Sequence, residues 1–112
     1  MKLYIGGAYQ GQQELARSEN PGAEILGDFH DALRAALLRG EDARDFARRV
    51  CGEHPDAVIA ANEVGAGVVP MTAEDRKFRE VVGRALCVIA QKADSVTRCV
   101  CGIGVCIKRS GF

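Results

Sequence analysis

A short apolar run, Leu3 to Ile5, leads into Gly6-Gly7-Ala8-Tyr9-Gln10-Gly11-Gln12-Gln13, a string with the frame of a phosphate-binding loop. In the full motif, G-x-x-x-x-G-K-[ST], backbone N–H groups cradle the phosphates, the lysine brings a point charge to them, and the hydroxyl holds Mg²⁺. Gly6 and Gly11 stand in register, whereas Gln12 replaces the lysine and Gln13 the hydroxyl residue. The amides and a following helix N-terminus can still hold an anion, since neither depends on the lysine. What is lost is the cation and the metal ligand. The same string also reads as a plain glycine turn.

Carboxylates come next. Asp28 follows a second short apolar run, Asp31 lies one helical turn on, and Glu63 follows the run Ala57 to Ala61. If the two runs are neighbouring strands, Asp28 and Glu63 converge above the sheet, where a proton acceptor or a Mg²⁺ ligand would be useful. Asp28 has a second reading as a helix N-cap before Phe29. Asn62-Glu63, in a glycine-bounded loop, has no such capping role. Cys99, Cys101 and Cys106 invite a metal reading, with residues 99 and 101 on one face of a strand. Their spacing matches no C-x-x-C pair of a structural zinc site, and buried core thiols are the simpler reading. No metal site is expected from them, and His30 and His54 are expected to be structural or exposed.

These residues need elements to position them. Leu3 to Ile5, Glu24 to Leu26, Ala57 to Ala61 and Ser95 to Cys101 read as strands, and Val105 to Lys108 as a possible fifth. Ala57 to Ala61 is apolar almost without interruption, as a strand covered on both faces should be, and is placed centrally. Gln12 to Arg17 is a short helix ended by Asn20-Pro21-Gly22. Phe29, Ala32, Leu33, Ala36 and Leu37 recur with helical spacing before Gly40, and Ala43, Phe46, Ala47, Val50 and Cys51 repeat it. Thr72 to Asp75 has the spacing of a helix start ahead of Phe78, Val81, Val82, Ala85, Leu86 and Ile89. The pattern is α/β. Asn62-Glu63 then falls at the carboxyl end of a buried strand, where open parallel sheets bind ligands.

The chain has 112 residues, 47% of them apolar, and its 15 basic and 15 acidic side chains cancel. That size and make-up fit one domain over residues 1–112. A neutral balance gives no footprint for nucleic acid and no polybasic membrane surface. The longest apolar run, Ala85 to Ala90, is far short of the roughly 20 residues that cross a bilayer. Lys2 and Leu3 to Ile5 are too little for a signal peptide. Five cysteines, an odd number, fit a reducing compartment, so a cytoplasmic protein with thiols is expected.

From Ala57 to Lys108 the sequence resembles the adenosylcobinamide kinase/adenosylcobinamide-phosphate guanylyltransferase (CobU-like) family. Asn62-Glu63-Val64-Gly65, Gly67-Val68-Val69-Pro70, Phe78-Arg79-Glu80, Gly83-Arg84, Ala93-Asp94, Gly102-Ile103-Gly104-Val105 and Ile107-Lys108 carry the likeness. Gly6-Gly7-Ala8 and Gly11 match the family's phosphate loop, and Asp28 stands at its acidic position after Glu24-Ile25-Leu26-Gly27. There are departures. Gln12 and Gln13 replace the loop's lysine and serine, Ala36 an asparagine, and Leu86-Cys87 a polar pair. Arg17 to Glu24 also bridges a gap where the family carries several tens of residues, including the histidine that accepts GMP. No residue here inherits that histidine, and His30 does not align with it.

The resemblance implies a trimmed P-loop α/β domain of three layers, with a small, mainly parallel sheet of four to five strands flanked by helices. It implies nucleotide and phosphate contacts at Gly6, Gly7, Ala8, Gly11, Gln12 and Gln13, and substrate-side contacts at Asn62, Glu63, Val64, Gly65, Arg79 and Arg84. Asp28 and Glu63 would be the catalytic carboxylates. The cofactor would be GTP or ATP, held weakly and with little part for Mg²⁺. A nucleotide or corrinoid partner and a homotrimer follow from the same likeness. The leading expectation is a non-catalytic binding or accessory protein of cobalamin biosynthesis. An adenosylcobinamide kinase without guanylyltransferase activity is the alternative, and a thiol metal-binding protein the third.

Overall fold

The computed structural model describes residues 1–7, 10–62 and 72–109, the side chain of Asp75 excepted. Along them run β1 (Lys2–Gly6), α1 (Gln12–Glu19), β2 (Ile25–Leu26), α2 (Phe29–Leu38), α3 (Ala43–Glu53), β3 (Val58–Asn62), α4 (Ala73–Lys92), β4 (Ser95–Val100) and β5 (Ile103–Arg109). The strands form one sheet in the order β2-β3-β1-β4-β5. Every pairing is parallel except β4 with β5. The α/β class is as expected. Two details differ: β1, not β3, holds the centre, and β2 keeps only Ile25 and Leu26, so it is a short edge.

Side chains alternate across a strand, and this sorts the apolar residues into two layers. Leu3, Ile59, Ala61 and Val96 pack against Phe29 and Leu33 of α2, Phe46 and Ala47 of α3, and Val82, Ala85 and Ile89 of α4. On the opposite face Tyr4, Val58, Ala60 and Cys99 pack against Ala16 of α1. Helices therefore flank the sheet on both sides, three against one. Apart from Ala32, which is exposed, the stripes read from 3.6-residue spacing are the ones that face the core. Asp42 caps α3 by accepting from the backbone N–H groups of Arg44 and Asp45, at 3.1 Å each.

β1 and β3 are neighbours, yet the helices that follow them, α1 and α4, pack on opposite faces. That makes a crevice at their carboxyl ends, the topological switch point of an open parallel sheet. β4 and β5 join through Cys101 and Gly102, both at positive φ (52° and 76°). Two such residues make the mirror-image turn whose twist suits a hairpin, which is why glycine is needed second. Cys101 thus belongs to the turn and shares no strand face with Cys99, contrary to expectation. No helix among the described residues is long and apolar enough to cross a membrane.

Candidate functional site

The link from β1 to α1 is the base of the site. Gly11, at φ 82°, stands at the N-cap of α1 with no side chain to satisfy the helix's first N–H groups. The first intrahelical bond runs from Leu15 N–H to Gly11 O at 3.0 Å. The N–H groups before it receive no side-chain cap, and uncapped helix starts are the places where anions are held. The link is braced from the hairpin. Gln10 Oε1 accepts the Cys101 N–H at 2.6 Å, and Gln10 O accepts the Gly102 N–H at 2.8 Å. The role of Gln10 was not read from the sequence. Its signal was the turn itself, a residue followed by Gly102 between two apolar runs.

Gln12 is 6% exposed. Its Nε2 lies 2.5 Å from Asn62 Oδ1, 3.3 Å from Gly7 O, and 3.4 Å from both Gly6 O and Ala61 O. One amide nitrogen with two hydrogens faces four oxygens, a setting that would suit an ammonium group better. Its Oε1 is buried without a partner. Lacking a charge to send toward a phosphate, the side chain finds its donors' partners at the ends of β1 and β3 and ties the two strands together. Gly6 has to be small here, because a Cβ on it would come within 2.8 Å of Cys99 O and 3.1 Å of Gln12 Oε1.

Gln13 lies against the backbone of Gly27, where a Cβ would fall 2.6 Å from its Nε2. Asp28 follows at φ 52° and heads α2, but its side chain makes no cap bond. The capping explanation for Asp28 therefore fails. Instead it lines a cavity of about 250 Å³ with Gly11, Gln12, Gln13, Glu14, Ala60 and Asn62. Parallel pairing of β2 with β3, Ile25 beside Val58 and Leu26 beside Ile59, brings Asp28 and Asn62 to one end of the sheet.

Of the residues singled out from the sequence, Gly11, Gln12, Gln13, Asp28 and Asn62 meet at this cavity. Gly6 and Gly7 support it through their carbonyls. Ala8, Glu63, Val64 and Gly65 lie outside the described residues. Arg79 and Arg84 are on α4 rather than in a loop, and neither lines the cavity. Arg84 pairs with Glu80 one turn before it. Beside the cavity, donor atoms of Asp28, His30 and Asp31 lie within 4.8 Å of one another, a set that could ligate a cation. His30, expected to be structural or exposed, is half-buried, and its Nδ1 is buried without a partner. The thiols do not join this group. Burial pushes the Cys99 and Cys51 thiols up from their ordinary pKa, which keeps them protonated.

The geometry is that of a crevice at the carboxyl ends of β1 and β3, with the amides of Gln12, Gln13 and Asn62 and the carboxylate of Asp28 along its lining. A family model for cobinamide kinase / cobinamide phosphate guanyltransferase matches residues 30–107. The chain belongs to this family. Over 51 residues it is 47% identical to the bifunctional adenosylcobalamin biosynthesis protein CobU of Salmonella typhimurium (strain LT2), covering 46% of this chain and 28% of that protein. It is 45% identical, with the same coverage of 46% and 28%, to the protein of the same name from Escherichia coli (strain K12). The aligned stretch thus spans under a third of these relatives. The family match begins after the glycine loop and Asp28, so those residues stand on their geometry.

Proposed function

We propose that this chain is a CobU-like protein of cobalamin (corrinoid) biosynthesis that binds a nucleotide or a corrinoid at the crevice without transferring phosphate. The family match supports the pathway. The observation that carries the loss of catalysis is Gln12, whose N–H groups are engaged by strand-end oxygens where a phosphate-loop lysine would bring positive charge. Phosphoryl transfer rests on positioning and charge neutralisation. Among the described residues lining the cavity there is no lysine, arginine, serine or threonine. Asp28, Gln12, Gln13 and Asn62 are the ligand contacts in this reading, with Glu63, next to Asn62 in sequence, the second carboxylate. The protein works in the cytoplasm as one domain and self-associates.

One observation favours a second reading, adenosylcobinamide kinase activity: the uncapped carboxylate of Asp28 stands in the cavity as a base or metal ligand would. Calorimetric titration with GTP, ATP and cobinamide, with and without Mg²⁺, separates the two when run beside a phosphorylation assay on adenosylcobinamide. The binding reading expects saturable but weak nucleotide or corrinoid binding, indifferent to Mg²⁺, and no phosphorylated product. Product formation with turnover would establish the kinase instead. Guanylyl transfer is expected to be absent as well, so labelled GTP should leave no covalent, acid-labile label on the chain.

A further inference from the structure

We propose that Gln10 is the positioning residue of the crevice: through the β4–β5 turn it sets where α1 begins, and so where Gln12 and Gln13 stand on the cavity wall. The inference rests on the reading of the crevice as a ligand site and adds to it the residue that holds the wall in place. Gln10 is not among the described residues that line the cavity. What needs holding is Gly11, the N-cap of α1 at φ 82°, which brings no cap bond and has the wide backbone freedom of a glycine. The residues on either side of it are tied in opposite directions. Gln12 reaches Ala61 O and Asn62 Oδ1 at the end of β3. Gln10 reaches the turn after β4. Since β3 and β4 are the two neighbours of β1, the start of α1 is held from both flanks of the strand that leads into it.

The turn is shaped to receive this tie. The β4–β5 ladder closes with Val100 beside Ile103, so the N–H groups of Cys101 and Gly102 lie outside it. One residue takes both: Gln10 Oε1 accepts the first at 2.6 Å, and Gln10 O accepts the second at 2.8 Å. The two segments also meet without side chains between them. A Cβ on Gly11 would lie 3.4 Å from Gly102 Cα, and a Cβ on Gly104 would fall 2.6 Å from Leu15 Cδ2, so the start of α1 rests on the hairpin at two glycines. The bond to Gly102 is backbone to backbone and survives any substitution of the side chain. The bond to Cys101 is the part that a variant can remove.

Amide exchange followed by proton–nitrogen NMR on the unaltered chain should show the Cys101 N–H, although at an exposed turn, protected by about tenfold or more over a free peptide. Gln10→Met keeps the length of the side chain without a strong acceptor, whereas Gln10→Glu keeps the acceptor. In Gln10→Met the Cys101 protection should vanish and the Gln12 and Gln13 amide signals should move, while those of α3 hold. In Gln10→Glu the protection should return, the reverse of what a merely space-filling side chain would give. Titration calorimetry with GTP and with cobinamide carries the test to the ligand: the affinity of whichever the parent binds should fall by about fivefold or more in Gln10→Met. A Cys101 amide that exchanges freely in the parent overturns the proposal. So do Gln12 and Gln13 signals that stay in place in Gln10→Met, or an affinity that does not change. If the parent binds neither compound, the ligand reading fails while the amide signals still decide the role of Gln10. If Gln10→Met does not fold, the parent's exchange and Gln10→Asn, whose amide is a methylene too short to reach, decide.

Discussion

Gln12 and Asn62, 50 positions apart, are joined by a hydrogen bond from Nε2 to Oδ1 of 2.5 Å. It fastens the start of α1 to the end of β3 on the wall of the cavity, and it makes the residue in the lysine position a structural tie.

Gln12→Ala should lower stability by roughly 1–3 kcal/mol, the cost of leaving buried acceptors without their donor. Gln12→Glu should cost more at pH 7, because a carboxylate would face four oxygens with no hydrogen to offer, and should recover as acid protonates it. Urea unfolding of both variants checks the order. A glutamate variant as stable as the parent would mean that the amide is not held as described.

Asp28 holds φ 52° without a cap bond. Asparagine tolerates the left-handed region at least as well as aspartate, so Asp28→Asn should change stability by no more than about 0.5 kcal/mol. Asp28→Ala should cost about 1 kcal/mol or more from backbone strain. Ligand binding should fall in both. A large stability loss in Asp28→Asn would show that the carboxylate has a structural task.

Tyr4 donates its O–H to Glu19 Oε1 at 2.7 Å and accepts from Asn20 Nδ2 at 3.0 Å. Burial first, and then the bond to Glu19, raise its pKa above the ordinary value. The unfolded chain therefore gives up the phenol proton first. The stabilisation is complete below the unfolded pKa of about 10 and is lost as pH rises through the folded value. The raised thiols of Cys99 and Cys51 act in the same direction from a lower pH. The urea midpoint should fall from about pH 9 upward, and Tyr4→Phe should remove the tyrosine share of that slope. A midpoint that holds steady into that range would contradict the burial of these groups.

Cys87, Cys101 and Cys106 are exposed, Cys51 is half-buried and Cys99 is buried. A thiol-exchange reagent should therefore titrate the three exposed groups quickly, Cys51 slowly, and Cys99 only after denaturant is added. The reduced protein should carry less than one zinc per chain by mass spectrometry of its metals. Stoichiometric zinc that disappears in Cys99→Ser would reverse this.

Much of this arrangement was legible in the sequence because it is local. The stripes Phe29 to Leu37 and Ala43 to Cys51 repeat at the helical period, and those periods became α2 and α3. Treating the two apolar runs as neighbours agrees with the pairing of β2 and β3, while Glu63, the partner that reading gave Asp28, lies outside the described residues. Contacts between distant segments were not legible. Nothing near Gln12 announces that its amide will meet Ala61 O and Asn62 Oδ1. Nor does the Asp28-Phe29 pair, which has the form of a cap, reveal the positive φ that turns the carboxylate out of capping range. Cys101 was read as the end of the fourth strand and Gly102-Ile103-Gly104 as the break after it, because nothing local shows that Cys101 itself takes the positive φ of the turn.

The central claim is that the crevice is a phosphate loop whose charge has been lost, and restoring that charge tests it most directly. Gln12→Lys combined with Gln13→Ser returns the cation and the metal-binding hydroxyl to a loop whose glycines and strand-end oxygens are in place. Titration calorimetry with GTP should show binding at least about tenfold tighter than in the parent and newly dependent on Mg²⁺. A folded double variant that binds GTP no better than the parent, with or without Mg²⁺, would contradict the account.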